Sequence, residues 1–312
     1  MVSTYPENGA GFECQITDFE CGVPIDVAFE IRFDRYLLPA TAARESFSLY
    51  TGDESNTVPR GARTPALTVR YDVVERVVTY SLPTNVFLQP NTHYTAELVV
   101  PAEEGDAGFR AFDGAPLDEE TVVRVSFLTS NQRAMPDPSE RPTGTCSSTL
   151  ATLNRSCTGS GCHGSNEPVM RMDLSDSNAL FRTVIGRVAH QTESGPTTGV
   201  SQQNPARFGV GMPRIDPGRP DNSYLVYKLL VAPENYRESD DDPNRCGTSH
   251  RAAVDPVHCV PASPEENERL AAWFLRGVPM PRALEGEAEP RFLVRNELLD
   301  LQSFIRSGAA CP

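Results

Sequence analysis

Lysine is almost absent from this chain: of 28 basic residues only Lys228 is a lysine, and the rest are arginines. No basic run occurs, and the formal net charge is −14, so nothing here could neutralise a phosphate backbone and nucleic acid is excluded as a partner. No apolar run is long enough to span a bilayer. The opening residues, 1–13, have neither a basic n-region nor an apolar h-region, so they do not read as a signal peptide. Gly-x-Ser-x-Gly and His-Glu-x-x-His are both missing, which removes sequence support for a serine hydrolase or a zinc protease.

Proline and cysteine are plentiful. The 27 prolines argue for many turns and short elements. The eight cysteines suit an oxidising compartment better than a cytosol. Together with the missing leader, they predict an exported protein whose signal has been removed, in the periplasm, on the outer membrane or at the cell surface of a bacterium. A lipid anchor upstream of residue 2 is compatible with this reading.

Residues 1–130 alternate as half-buried strands do. In Asp26–Phe33, Val27, Phe29, Ile31 and Phe33 share one face, and Ala28, Glu30 and Arg32 share the other. Similar runs are Ser46–Tyr50, Leu67–Tyr71, Arg76–Tyr80, Tyr94–Val100 and Val122–Leu128, with turn signals at Gly52-Asp53, Gln89-Pro90-Asn91 and Asp113-Gly114. Short strands at this spacing predict an antiparallel sandwich. Cys14 and Cys21 lie close together in the first loop region and predict a local disulfide. His93 opens a strand with no other ligand type near it, so it reads as an edge residue. The polar, three-proline stretch 131–144 reads as a linker between domains.

Beyond it the periodicity becomes helical. Cys146, Leu150 and Leu153 share a helical face; Asn178–Ile185 reads as a short helix capped by Ser175 or Ser177. A helix capped by Asp221 follows the Pro217-Gly218 turn. Ser263-Pro264-Glu265-Glu266 opens another, and Arg295–Arg306 forms the last, stopping at Gly308.

The stretch that organises this half is Cys157-Thr-Gly-Ser-Gly-Cys162-His163-Gly164. Two thiols followed at once by histidine form the pattern of c-type haem attachment, usually written Cys-x-x-Cys-His. Each thiol can bond one haem vinyl group, and the histidine can coordinate iron. The spacer here has four residues, all small, and its glycines tolerate the backbone angles of a bulge. Two other readings stay open: a zinc site, for which Cys162-His163 adjacency is poor tetrahedral geometry, and a plain Cys157–Cys162 disulfide.

Two resemblances sharpen these expectations. Tyr5-Pro6-Glu7-Asn8-Gly9-Ala10, Phe33-Asp34, Leu38-Pro39-Ala40-Thr41, Leu88–Tyr94 and Ser126–Thr129 resemble the bacterial Ig-like domains of surface-layer and other exported proteins. Gly161-Cys162-His163-Gly164, Met172-Asp-Leu-Ser175, Pro217–Lys228, a Met-Pro pair and Phe304-Ile305 ahead of Gly308-Ala309 resemble monohaem cytochrome c-like domains, in which a longer cysteine spacer is a variant. The implied fold class is a multi-domain chain: an N-terminal all-β Ig-like sandwich over residues 1–130 and a C-terminal mainly α cytochrome c-like domain over 145–312.

The implied function is outer-sphere electron transfer through one covalent haem c, with an unidentified redox partner protein and no enzymatic activity. The resemblance makes His163 the proximal ligand, its second ring nitrogen held by a backbone carbonyl. It places the distal methionine in a loop ahead of the last helix, which favours Met280 in Val278-Pro-Met-Pro281 over Met212. His190, His250 and His258 are the bis-histidine alternatives, and His/Met ligation would raise the potential relative to them. A crossing of first and last helices implies a Cys146–Cys311 disulfide, and Cys246 and Cys259 bracket a loop that a third bond would close. The rival readings are a haem enzyme or gas sensor with an open distal position, and a structural surface or adhesion protein without haem.

Overall fold

The computed structural model describes residues 3–13, 21–52, 66–103, 106–118, 124–134, 144–159, 162–164, 168–189, 212–232, 235, 261–274, 280–281 and 291–311. These fall into two compact units, one within residues 1–139 and the other within 140–312.

The first unit holds seven short strands. β1 (Ser3–Tyr5), β2 (Phe29–Arg32), β5 (Val77–Ser81) and β4 (Thr68–Asp72) form one antiparallel sheet in the order β1-β2-β5-β4. β3 (Phe47–Thr51), β6 (His93–Leu98) and β7 (Arg124–Leu128) form the other. The inward positions are aromatic. Phe29 of the first sheet meets Phe47 and Phe127 of the second at centroid distances of 5.5 and 5.6 Å, and Phe47 stacks on Tyr80 at 4.3 Å. Large rings supply much apolar area from few positions, which suits strands of three to six residues. The alternation in β2 predicted a solvent face at Glu30 and Arg32; both are buried, so β2 is covered on both sides. His93 begins β6, with its ring edge-on to Phe12 at 5.2 Å.

The second unit contains the helices α1 (Cys146–Cys157), α2 (Ser177–Thr183), α3 (Tyr224–Leu230), α4 (Pro264–Phe274) and α5 (Arg295–Arg306). Thr145 and Ser148 close a reciprocal capping box at the start of α1: the Ser148 N–H donates to Thr145 Oγ1 and the Thr145 N–H to Ser148 Oγ. The cap of α2 is Asp176, which accepts from the Ala179 N–H at 2.8 Å, rather than Ser175 or Ser177. Asp221 does not cap α3; it lies in a 3₁₀ turn, Pro220–Asn222, and its carbonyl accepts from the Tyr227 hydroxyl. α1 packs against α5. Leu153 of α1 and Leu298, Leu301, Phe304 and Ile305 of α5 are buried, and Arg155 pairs with Glu297. Gly144 fits here because a Cβ would lie 2.0 Å from the Asp300 carbonyl oxygen. Cys146 and Cys311 form a disulfide with a Cα–Cα distance of 5.2 Å.

The expected fold class is corrected by this architecture. The described residues form two small antiparallel sheets and five helices of 7–12 residues, a mixed α/β arrangement, and not an all-β Ig-like sandwich followed by a mainly α cytochrome c-like domain. The physical reason is the brevity of every element. The 27 prolines interrupt both halves, and among the described residues of the second unit the helices are supplemented by isolated bridges, Ile185 to Ile215 and Val188 to Pro213. Alternation identifies a strand; it does not say how many strands associate or what covers them.

The disulfide closes a chain separation of 165 residues. Replacing both cysteines (Cys146→Ser with Cys311→Ser) should lower unfolding free energy by about 2–5 kcal/mol through regained denatured-state entropy. Urea denaturation measures this, and an unchanged midpoint would contradict it.

Candidate haem attachment site

Helix α1 delivers Cys157 at its last position, and the chain then folds straight back. The Cys157 carbonyl, which the helix end leaves without an intrahelical partner, accepts from the His163 N–H at 3.0 Å. The Gly159 carbonyl accepts from the Cys162 N–H, also at 3.0 Å. The return is tight: a Cβ on Gly164 would sit 3.0 Å from the Thr158 carbonyl oxygen. These two hydrogen bonds bring Cys162 and His163 back to the end of α1, close enough for the Cys162 sulfur to act on the Cys157 thiol. Cys157 is buried, Cys162 is half-buried, and neither is in a disulfide in this structure.

His163 is enclosed on the backbone side. Its carbonyl accepts from the Leu174 N–H at 2.9 Å, and the Cys162 carbonyl accepts from the Val169 N–H at 3.1 Å. The ring nitrogen Nδ1 lies 3.2 Å from the carbonyl oxygens of both Val169 and Met172. Carbonyls only accept, so Nδ1 carries the proton and the neutral ring keeps its lone pair on Nε2. Such an outer hydrogen bond fixes the tautomer of a metal-binding histidine.

The electrostatics favour neutral groups. Burial pushes the Cys157 thiol up to about 12; the neighbouring Cys162 sulfur adds to this, and Arg155 opposes it. Burial also lowers the His163 pKa, the two carbonyl contacts oppose that, and the positive charges of Arg214 and Lys228 lower it further. Lys228 is itself pushed down to about 8 by burial. A neutral imidazole is the form that binds a metal.

Arg214 and Asn235 drew no attention in the sequence. Arg214, buried, donates Nη1 to the carbonyls of Thr183 (2.6 Å) and Arg171 (3.3 Å), and Nη2 to Met170 (2.9 Å). It thus holds the 170–172 segment whose Met172 carbonyl faces His163. Asn235, also buried, donates Nδ2 to the carbonyls of Leu229 (2.8 Å) and Met280 (2.9 Å), and its Oδ1 accepts from the Leu293 N–H (2.8 Å). It ties Met280 to the end of α3 and to the approach to α5. Lone polar residues beside apolar runs were the only signal of either, and their partners are backbone atoms that every residue carries.

Met280 is half-buried, and Met212 is buried with its carbonyl accepting from the Ala189 N–H. His190, His250, His258, Cys14, Cys246 and Cys259 lie outside the described residues, and with them the pairs Cys14–Cys21 and Cys246–Cys259. Among the described residues no three His, Cys, Asp or Glu side chains group as a single metal ion would require. The donor set suits haem better than zinc: covalent haem needs two thiols for two vinyl groups and one nitrogen for iron, not three donors converging on one point. No protein-family model matches the chain. No curated protein matches it either.

Two outcomes follow for protein made without haem. Alkylation of Cys157 by iodoacetamide should climb steadily to about pH 12 rather than level off near 9, with Cys162 reacting first; mass mapping reads this. Asn235→Ala leaves three backbone groups without their partner and should cost about 2–4 kcal/mol in denaturant unfolding.

Proposed function

We propose that this chain is an exported one-electron carrier with one haem bound covalently through Cys157 and Cys162, His163 being one axial ligand and Met280 the other. The observation that carries the reading is the state of His163: buried, hydrogen-bonded back to Cys157, with Nδ1 facing two carbonyls and Nε2 left for iron. The haem would supply a centre that gains or loses one electron without a change of bonding.

The chain's own residues keep that change small in cost. Two thioethers and the α1 end would fix the ring edge, the carbonyls of Val169 and Met172 would fix the imidazole, and Arg214 would fix those carbonyls in turn. The burial of His163 excludes water and a competing proton. Arg214, two residues after Met212, bonds the segment that faces Nδ1, the ring nitrogen opposite the one that would meet iron. This favours Met280, which Asn235 anchors separately. With His163 and Met280 both holding the iron, no substrate would reach it.

Protein expressed in the periplasm with a haem-maturation system should give a sharp α band on reduction, retained through denaturing electrophoresis. Cys157→Ser with Cys162→Ser should lose the covalent haem. Met280→Ala should abolish the near-infrared sulfur-to-iron band while Met212→Ala keeps it. No α band would end the haem reading, carbon monoxide binding to the reduced wild type without ligand displacement would favour an open-site haem protein, and the reverse methionine result would move the ligand to Met212.

A further inference from the structure

We propose, on the haem reading above, that the face behind His163 is the docking site for an acidic electron-transfer protein. The face is apolar at its centre. Phe181 is 70% exposed, Met170 56%, Val169 43% and Val188 38%, four of the six large exposed hydrophobics among the described residues. Their segments meet at Arg214. One guanidinium, that of Arg214, reaches the carbonyls of Met170, Arg171 and Thr183. Phe181 stands two residues before Thr183 on α2. Val188 pairs with Pro213, and the Arg214 N–H donates to the Arg187 carbonyl at 2.7 Å.

The backbone of this face meets His163 at Nδ1, the ring nitrogen that is not left for iron. Val169 and Met172 supply the carbonyls at Nδ1, on the opposite side of the imidazole. Val169 and Met170 are exposed on the segment whose backbone reaches Nδ1. The same geometry makes the face a short route to the iron: Val169 on the surface, its carbonyl, the Nδ1 hydrogen bond, the imidazole.

Charge selects the occupant. The chain carries −14 overall, yet Arg171, Arg182 and Arg187 rim this face, all exposed. Two carboxylates stand against these three arginines in the described stretch 168–189: Asp173, whose Oδ1 accepts from the N–H and hydroxyl of Ser175, and Asp176, which caps α2. An apolar centre with a cationic rim, on an otherwise acidic surface, steers an acidic partner to one place and repels it elsewhere. In the complex one electron would pass from the reduced haem to the partner's acceptor, with no bond formed or broken and no proton moved.

The test uses the holo chain and copper(II) plastocyanin as the probe, an acidic protein whose copper lies under an apolar face. Stopped-flow oxidation of the reduced haem should slow steeply with ionic strength. The R171E/R182E/R187E variant should be slower by about tenfold at low salt, and Phe181→Ser slower as well, both with an unchanged reduced spectrum. With tris(phenanthroline)cobalt(III), a small cation, the charge-reversed variant should be no slower than wild type. Wild-type rates with plastocyanin in both variants would overturn the proposal while leaving the haem reading intact. So would sedimentation showing a dimer that Phe181→Ser separates, which would make a second copy the occupant. If no α band is seen, the haem reading itself has failed, and the docking site falls with it.

Discussion

The second unit depends on backbone carbonyls being held where side chains need them. The Cys157 carbonyl receives the His163 N–H, and those of Val169 and Met172 face the His163 ring. Arg214 then grips the adjacent carbonyls of Met170 and Arg171. A carbonyl in a loop is free to rotate with its peptide plane. Here each one is fixed by a donor in a partly buried setting, where leaving either partner unsatisfied is costly. The histidine's tautomer is thus a consequence of loop geometry, and loop geometry a consequence of one arginine.

Asn235 plays the equivalent part for Met280. It joins the end of α3, the methionine loop and the residue ahead of α5 through three hydrogen bonds. Met280 and the segment that faces His163 are each secured by one buried polar side chain from elsewhere in the unit. This arrangement lets short helices position a site without a long scaffold, and it concentrates the vulnerability in two residues.

Residue chemistry made part of this legible in the sequence. Two cysteines and a histidine in close order are scarce enough to mark a site, and the strand runs from Asp26 to Leu128 hold six of the strands observed. Assembly was not legible. Alternation reports one strand's two faces, but Glu30 and Arg32 are buried because of what surrounds β2, and the mixed α/β arrangement of short elements depends on contacts between segments far apart in sequence. The α2 cap illustrates the limit on a smaller scale: Ser175, Asp176 and Ser177 all have capping chemistry, and only the path of the chain selects Asp176. Arg214 and Asn235 were invisible for the deeper reason that their partners are main-chain oxygens and nitrogens, which leave no mark on a sequence.

The disulfide between Cys146 and Cys311 has a mechanical consequence. A pull transmitted through the residues before α1 and those after Cys311 enters at one cysteine and leaves at the other through a covalent bond. The 164 residues between them, with α1's later turns, His163, Arg214 and Asn235, lie off the load path. In a protein exposed to shear or tethered at a distance, the site behind that bond would stay unstrained under forces that peel helices from an unbridged fold.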